Sequence, residues 1–426
     1  MIETQVCVVG GGPAGMMLGL LLARQGIRVH VLEKHADFLR DFRGDTVHPS
    51  TLDVLDEIGL GEQVHALPGR QVRRLSVSFA DGVRPVADFG RLRGAHPYLL
   101  FVPQWDLLEM LAREAVSYPT FTLLRLHEAT DLLWSDGPAA PALTPAAGGA
   151  GDRSRRHHTH RHGHGVRVRG VIAHSPEGPV EIRADLTVGA DGRDSTVRRL
   201  LDLPMRRFGA PMDVLWFRLS RWQSDGAGLA GHVGAGRMLV RIDRGEYWQN
   251  AFLIPKGGYA QVRREGIERL REAVAALVPE LTDRVREIRD WDDVRLLSVQ
   301  IDRARRWHAP GALVIGDAAH AMSPIGGVGI NLAVQDAVAA ARMLAEPLIR
   351  GTPSRAALAA VQRRRAFPAA VVQLAQRGVQ RALLRPVLAS DRPVPAPRPL
   401  RLLARTPALQ GALAYAIGVG VRPEHL

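Results

Sequence analysis

The sequence predicts an α/β fold in which a Rossmann-like domain carries an inserted, mainly antiparallel β-sheet domain and a C-terminal helical tail. Three observations predict it. A strand, a glycine-rich turn and a helix follow one another at the N-terminus, a block rich in strands follows residue 200, and a second glycine-rich turn precedes a long apolar helix after residue 316. Together they indicate a parallel sheet that a second domain interrupts.

The N-terminal stretch has the pattern of a βαβ unit. TQVCVVG is typical of a buried strand, AGMMLGLLLARQG of an apolar helix that ends at Gly26, and IRVHVLEK of a second strand. A right-handed crossover makes the two strands parallel. The run Val6–Ala23 is uncharged, but its glycines and Pro13 favour a strand, a turn and a helix over a membrane span or a signal peptide.

The inserted domain is predicted from hairpin and strand patterns. Residues 74–89 predict a hairpin around Asp81-Gly82, and QWDLLEMLAREAV predicts a return to helix. Between Val214 and Pro255, the segments LWFRLS, RMLVRID and YWQNAFLIP predict strands, and the amphipathic helix IERLREAVAALVP follows them. Alternation places Trp216 and Phe217 on opposite faces of their strand, and the sequence leaves open which face lines a pocket.

Two further segments lie outside the strand and helix patterns of the two domains. Residues 136–165, rich in Pro, Ala, Gly, Arg and His, predict a long surface loop between two strands. Its five histidines between His157 and His164 fix no coordination geometry, so no metal site is predicted. The apolar stretch from Pro407 to Val421 is too short to cross a bilayer and predicts a packed helix.

Composition narrows the function classes. The chain has 426 residues, 46% of them hydrophobic, and a formal charge of +13. Lys34 and Lys256 are the only lysines among 56 basic residues, and the arginines are spread along the chain without a nucleic-acid-binding motif. We therefore predict no nucleic-acid partner and no transmembrane segment. The single cysteine, Cys7, indicates a reducing, cytoplasmic location.

The first glycine motif predicts a dinucleotide site. In GGGPAG, Gly10 allows a tight turn, Gly12 lets the backbone approach a pyrophosphate, and Gly15 lets the helix pack close to the sheet. Glu33 ends the second strand 18 residues after Gly15, where a carboxylate accepts hydrogen bonds from a ribose diol. A second match to the pattern, GAGLAG at residues 226–231, follows no strand and precedes no helix, so it predicts only a flexible loop between two strands.

Two aspartate motifs follow. In GADGRDSTVRRL, the pattern taken alone indicates a strand that ends in an Asp-Gly turn, with Ser195 as a helix cap. In GDAAHAMSPIGGVGINLAVQDA, Asp317 follows an apolar strand, where open α/β sheets bind ligands. The glycines after Pro324 let backbone amides lie against a flat ring, and the helix that starts near Ile330 points its positive end at it.

These three motifs, in this order and spacing, resemble the single-component FAD-dependent monooxygenases of the para-hydroxybenzoate hydroxylase and ubiquinone-biosynthesis hydroxylase type. The resemblance covers about residues 1–350 and implies a Rossmann-like FAD-binding domain of the glutathione-reductase type. It implies that GGGPAG and Glu33 hold the ADP half of FAD, that Asp191 and Gly192 contact FAD and NAD(P)H, and that the loop after Pro324 flanks the isoalloxazine ring. The cofactor-binding residues that it implies are Gly10, Gly12, Pro13, Ala14, Gly15, Glu33, Lys34, Arg43, Gln104, Asp191, Gly192, Asp317, Pro324, Gly327, Val328, Gly329, Ile330 and Asn331. The sequence departs from the family pattern at Gln104-Trp105, where an arginine is usual, and at Ser323-Pro324, where a proline pair is common.

The resemblance implies hydroxylation of an aromatic, phenolic or polyketide-like small molecule with NAD(P)H and dioxygen, through a flavin hydroperoxide. His48 and His320 are potential bases, but no catalytic residue is assigned. A reductase of the prenyl-chain type is the stronger alternative. A flavin-dependent halogenase, for which only Lys256 offers an active-site lysine, and a non-enzymatic binding protein are the others. The oligomeric state stays open.

The motifs also divide the chain. The predicted FAD-binding domain comprises residues 1–72, 92–200 and 296–350. The predicted substrate domain comprises a hairpin at 73–91 and the block 201–295, and residues 351–426 form the C-terminal helical region.

Overall fold

The computed structural model describes residues 1–39, 46–135, 166–226 and 228–426. The predicted 136–165 loop and Arg43 therefore lie outside the described residues. The strands are, in chain order, β1 (Ile2–Val9), β2 (Val29–Glu33), β3 (Thr46–Val47), β4 (Arg70–Val72), β5 (Arg74–Phe79), β6 (Gly82–Asp88), β7 (Leu99–Phe101), β8 (Phe121–Arg125), β9 (Glu128–Trp134), β10 (Val168–Ser175), β11 (Gly178–Gly189), β12 (Met205–Arg207), β13 (Met212–Ser220), β14 (Leu229–Val233), β15 (Met238–Asp243), β16 (Tyr247–Pro255), β17 (Arg295–Leu297), β18 (Asp302–Ala304), β19 (His308–Ala309) and β20 (Ala312–Val314).

The helices are α1 (Pro13–Ala23), α2 (Pro49–Glu57), α3 (Gly61–Ala66), α4 (Gln104–Val116), α5 (Thr196–Leu200), α6 (Tyr259–Glu265), α7 (Ile267–Leu277), α8 (Gly329–Ile349), α9 (Arg355–Val379), α10 (Arg385–Leu388), α11 (Arg398–Arg405) and α12 (Pro407–Gly418). The predicted helices at α1, α4, α7 and α8 and the predicted packed helix in the tail are confirmed.

The larger sheet is built on parallel strands in the order β8-β2-β1-β11-β20. Antiparallel strands extend it at β19 and through β10 and β9. Because the neighbouring strands are parallel, the residues that follow β1, β2, β11 and β20 meet at one edge of the sheet. The predicted α/β class and the parallel βαβ unit are confirmed.

Helices α1 and α8 pack against each other on this sheet. Most residues of both helices are buried. A Cβ atom on Gly19 would lie 2.7 Å from Val31 Cγ2 and 2.8 Å from Phe121 Cε2, so this glycine sets how closely α1 approaches the strands. The segment Ile325–Ile349 is long and apolar enough to cross a membrane, but 83% of its apolar window is buried inside the protein, as expected of a core helix.

The second sheet has the order β17-β13-β16-β15-β14-β5-β6 and is antiparallel except where β14 pairs with β5. Its hairpin β5-β6 turns at Asp81-Gly82 as predicted. Leu215 and Phe217 pack with Val274 of α7 on one face. The other face, which carries Trp216, turns to the three-stranded sheet β3-β7-β4 and to α12. The structure thereby resolves which face is free of the α7 layer.

One prediction in this domain is wrong. Residues 229–231 of GAGLAG are not loop but the start of β14, which pairs with both β5 and β15. Pairing on both sides satisfies the backbone of a segment whose composition alone favours a loop. The predicted domain boundaries stay a prediction.

Candidate cofactor and substrate site

The three motifs meet at the carboxyl edge of the larger sheet. Gly10 has φ +107°, and a Cβ atom on it would lie 2.5 Å from the Ala190 carbonyl oxygen of the second motif. Gly316 of the third motif has φ +60° and lies against Ala14 of the first, since its Cβ would be 3.2 Å from that of Ala14. Residues far apart in sequence thus form one continuous backbone surface.

The start of α1 has the features of a phosphate site. A Cβ on Gly15 would lie 1.9 Å from the Gly10 carbonyl oxygen, so only glycine permits this packing. A Cβ on Gly12 would meet nothing within 4 Å, which leaves open space where a pyrophosphate can approach. Gly12 is the N-cap, Pro13 occupies the first turn, and no side chain caps the helix. The first-turn amides and the positive helix end are therefore available to an anion.

Glu33 lies beside this turn, 4% exposed. Its Oε2 accepts a hydrogen bond from the Gly11 amide at 3.2 Å, and its Oε1 accepts one from the His35 amide at 3.0 Å. The carboxylate is thereby held at the end of β2, next to the glycine turn. Lys34 instead points to Glu128 of β9, with Nζ 3.9 Å from Oε1, and is half exposed.

Asp191 of the second motif supports the backbone. Its carboxylate accepts a hydrogen bond from Ser195 Oγ at 2.5 Å and one from the Val197 amide at 3.2 Å. Ser195 Oγ in turn accepts from the Arg198 amide, so the predicted Ser195 cap of α5 is confirmed. Burial raises the pKa of Asp191. Gly192 beside it has φ +83°, with open space at its Cβ position.

The second and third motifs are bridged by arginines. Arg193 Nε lies 3.3 Å from Asp317 Oδ2, and Arg198 Nη1 donates to the Ala318 carbonyl at 2.9 Å. The Asp317 side chain is about one-third exposed at the edge of the sheet. It therefore retains solvent-facing carboxylate surface for a hydroxyl group.

The glycine loop before α8 is anchored to the segment after β3. Gly326 and Gly327 have φ +78° and +65°, and a Cβ on Gly327 would lie 2.7 Å from Thr46 Oγ1. His48 Nε2 donates to the Gly326 carbonyl at 3.1 Å. Burial lowers the pKa of His48 to about 4, so the ring is neutral near pH 7.

The first turn of α8 is fixed by side chains of α2. Asn331 Oδ1 accepts hydrogen bonds from Ser50 Oγ at 2.9 Å and Thr51 Oγ1 at 2.7 Å. No side chain caps α8 at Val328, and a Cβ on Gly329 would meet nothing within 4 Å. The amides of this turn are therefore open to a planar ring. Pro324 opens the 3₁₀ turn that leads into it.

A buried ionic network behind this loop was missed by sequence reasoning. Asp336 of α8 accepts from the Gly316 amide at 3.0 Å and contacts His320 Nε2 at 2.6 Å and Arg365 Nε at 2.9 Å. Arg365 also lies 3.2 Å from Glu424 Oε1, and all four side chains are at most 1% exposed. His320 is thus a structural partner of Asp336. The only signal in the sequence is a carboxylate within the apolar run of α8.

The face of the second sheet that carries Trp216 is a candidate substrate surface. Trp216 and Val240 pack against the buried cluster that contains Phe101 and Ile242. Its indole Nε1 is buried and has no hydrogen-bond partner in the part of the chain that the structure describes. Buried donors are normally satisfied, so this one is a candidate contact for a ligand. Gln104 opens α4 three residues after Phe101, where Pro103 offers no side-chain cap.

The Lys256 ammonium group is held by three acceptors of the protein. Its Nζ lies 2.7 Å from Asp213 Oδ1, 2.9 Å from Ser298 Oγ and 2.8 Å from the Val299 carbonyl oxygen. A lysine engaged by three acceptors is a poor candidate for the active-site lysine of a halogenase.

Comparison with known proteins agrees with the geometry. The sequence profile of the FAD binding domain family matches residues 3–153 and 139–375. The chain belongs to this family. It is 34% identical over 420 residues to 6-methylpretetramide 4-monooxygenase of Streptomyces rimosus, covering 96% of this chain and 91% of that protein. It is 31% identical over 361 residues to 12-dehydrotetracycline 5-monooxygenase/anhydrotetracycline 6-monooxygenase of the same species, covering 78% of this chain and 61% of that protein.

Among solved structures, p-nitrophenol 4-monooxygenase from Pseudomonas putida has a TM-score of 0.73 at 20% identity, over 98% of this chain and 96% of that one, which shows the shared fold. The chain is therefore an FAD-dependent monooxygenase that hydroxylates an aromatic small molecule with NAD(P)H and dioxygen. The predicted cofactor, enzyme class and function are confirmed, and the prenyl-chain reductase alternative is not favoured.

Proposed function

We propose that this monooxygenase hydroxylates a fused-ring aromatic polyketide. The observation that carries the proposal is the 34% identity to 6-methylpretetramide 4-monooxygenase over 96% of the chain, which spans the cofactor motifs and the second sheet alike. A multi-ring aromatic ligand also suits the apolar face around Trp216 and Phe101. We place the enzyme in the cytoplasm on the basis of its single, buried cysteine.

In this proposal the ADP half of FAD lies along Gly10 to Gly15, where the α1 amides receive the pyrophosphate and Glu33 the ribose hydroxyls. Asp317 binds ribityl hydroxyls, and the turn from Gly327 to Asn331 presents its amides to the ring system. Bound FAD supplies electron transfer from NAD(P)H and activation of dioxygen. The remaining residues assigned to the cofactor are Lys34, Arg43, Gln104, Asp191, Gly192 and Pro324.

The chain's own contribution is orientation and exclusion of water. Gly326 is fixed by His48, and Asn331 by Ser50 and Thr51, so the loop is preorganised. In this proposal Trp216 Nε1, a buried donor without a partner in the described residues, donates to a substrate oxygen. The apolar packing around it keeps the reacting centre dry.

The test is a substrate panel on the purified yellow protein. Oxidation of NADPH and uptake of dioxygen are followed together with simple phenols, bicyclic naphthols and tetracyclic polyketides. The expected result is coupled uptake and a product one oxygen atom heavier with the tetracyclic compounds only. Coupled turnover with simple phenols alone would refute the polyketide class.

A further inference from the structure

A cavity rich in arginine opens beside the candidate substrate face. It has a volume of about 520 Å³ and is lined by Gly69, Arg70, Gln71, Val72, Arg73, Arg74, Arg221, Gly228 and Asp243. Four of these residues are arginines and one is acidic. The proposed function does not use any of them.

The acidic group of the cavity is already neutralised. Asp243 Oδ1 lies 3.3 Å from Arg221 Nε and accepts a hydrogen bond from the Gly245 amide at 2.8 Å. Arg221 Nη1 donates in turn to the Gly245 carbonyl at 3.1 Å, so this pair forms a fixed wall. Arg74 is paired outside the cavity, with Nε 3.5 Å from Asp88 Oδ2.

Arg70 and Arg73 are the other two arginines that line the cavity. Arg70 has no carboxylate partner within the described ranges. The guanidinium carbon of Arg73 lies 5.8 Å from the centre of the Tyr98 ring, a cation–π contact that supplies no counter-charge. Two arginines that have no carboxylate partner in the described part of the chain therefore line one concavity. Guanidinium groups in such an arrangement suit a planar or tetrahedral oxyanion.

The cavity is also close to the site. Strand pairing aligns Arg70 with Phe101, and Phe101 with Thr46, whose side chain touches the glycine loop. Two strand spacings put the Arg70 backbone about 10 Å from that of Thr46. Two lining residues are also next in sequence to the apolar cluster around Trp216: Gly228 precedes Leu229, and Asp243 follows Ile242. A ligand can thus lie on the apolar face and place an anionic end among the arginines.

We infer that Arg70 and Arg73 form a recognition site for an oxyanion of a small-molecule ligand. The inference deepens the proposed function and rests on it for the location of the aromatic ring. Two sources supply such a group: a carboxylate or enolate of the aromatic substrate, and a phosphate of NAD(P)H.

The test measures equilibrium binding to the FAD-loaded protein, so it does not depend on turnover. The probes are adenosine 2′,5′-bisphosphate for the nucleotide and 1-hydroxy-2-naphthoate for an aromatic acid, titrated by calorimetry into the wild type, Arg70→Gln, Arg73→Gln and the double variant. The control is Arg269→Gln, which removes an exposed charge from α7, where Arg269 pairs with Glu272.

Each single variant is expected to weaken one of the probes about tenfold, the scale of a lost charged hydrogen bond, with the control within twofold. The affinity of the wild type is expected to fall as salt rises. Loss confined to the bisphosphate identifies the nucleotide, and loss confined to the naphthoate identifies the substrate. Unchanged affinity for both probes in the double variant overturns the site, whereas a panel without polyketide turnover refutes only the proposed substrate class.

Discussion

The glycines at positions 12 and 15 provide a sharp test of the cofactor site, because alanine at the two positions is expected to fail for different reasons. A Cβ on Gly15 would lie 1.9 Å from the Gly10 carbonyl oxygen, whereas one on Gly12 would meet nothing within 4 Å. Gly15→Ala should therefore impair folding, and Gly12→Ala should fold normally but occupy the space for the pyrophosphate.

The magnitudes follow from these contacts. For Gly15→Ala, alanine gains about 1 kcal/mol of helix propensity, but the backbone clash exceeds ordinary overpacking, so the free energy of unfolding should fall by about 2 kcal/mol or more. For Gly12→Ala, φ −75° is allowed for any residue and stability should change by less than about 1 kcal/mol. Loss of one or two charged amide–phosphate hydrogen bonds should weaken FAD binding about 10- to 1,000-fold.

The assay uses the flavin-free protein. Urea unfolding measures stability, and quenching of flavin fluorescence during titration measures the dissociation constant for FAD. Gly26→Ala is a matched control, since Gly26 has φ +79° and open space and lies at the far end of α1. Gly26→Ala should lower the free energy of unfolding through backbone strain and leave the dissociation constant for FAD unchanged. Wild-type FAD affinity in Gly12→Ala would refute the placement of the pyrophosphate at this turn.

Three further predictions concern ionic groups. Hydrogen bonds from Arg284, Trp222 and Trp248 outweigh the effect of burial and lower the pKa of Asp225 from 3.8 to about 2. Because the folded-state pKa is depressed, its contribution of about 2 kcal/mol is present above pH 4 and lost as the pH falls towards 2. Asp225→Asn should lower stability at pH 7 and flatten this dependence in pH-resolved urea unfolding, and an unchanged slope would contradict it. Lys256→Met should cost about 2 kcal/mol because the buried Asp213 carboxylate loses its counter-charge and keeps only backbone donors. The hydroxylated product should be unchanged by mass spectrometry, and loss of a brominated product in bromide would instead indicate a halogenase. Glu424→Gln should lower the free energy of unfolding in urea by about 3 kcal/mol. The buried carboxylate accepts hydrogen bonds from Arg364 Nε at 2.6 Å and from Arg365 Nη1 at 3.2 Å. The exposed Glu346→Gln should change stability by less than about 0.5 kcal/mol, and an equal loss in both variants would argue against the network.

The parallel core was predictable because its signals are local. The apolar run of β1, the glycine spacing and the apolar helix α1 lie within the first 23 residues, and each is specified by its own neighbours in sequence. Gly15 illustrates the reason: its contact partner, Gly10, is five residues away.

Contacts that join distant residues could not be predicted in the same way. Asp336 and Arg365 are 29 residues apart, and Arg365 and Glu424 are 59 apart. One sequence offers many possible partners for each charge, and only the packing of α8, α9 and the C-terminal segment selects them. The β14 strand has a similar cause: glycine disfavours a strand locally, but pairing with β5 and β15 on both sides overrides that preference.

The small sheet β3-β7-β4 connects these distant contacts to function. Its first strand carries Thr46 against the glycine loop, its middle strand ends three residues before Gln104, and its third strand begins at Arg70 of the cavity. Hydrogen-bonded strands hold a fixed spacing, so the ladder sets the distance between the glycine loop and the backbone of Arg70. A ligand bound by Arg70 in the inferred oxyanion site would therefore be attached to a backbone position at a fixed distance from the loop. That geometry is what selection of one ring position on a multi-ring substrate requires.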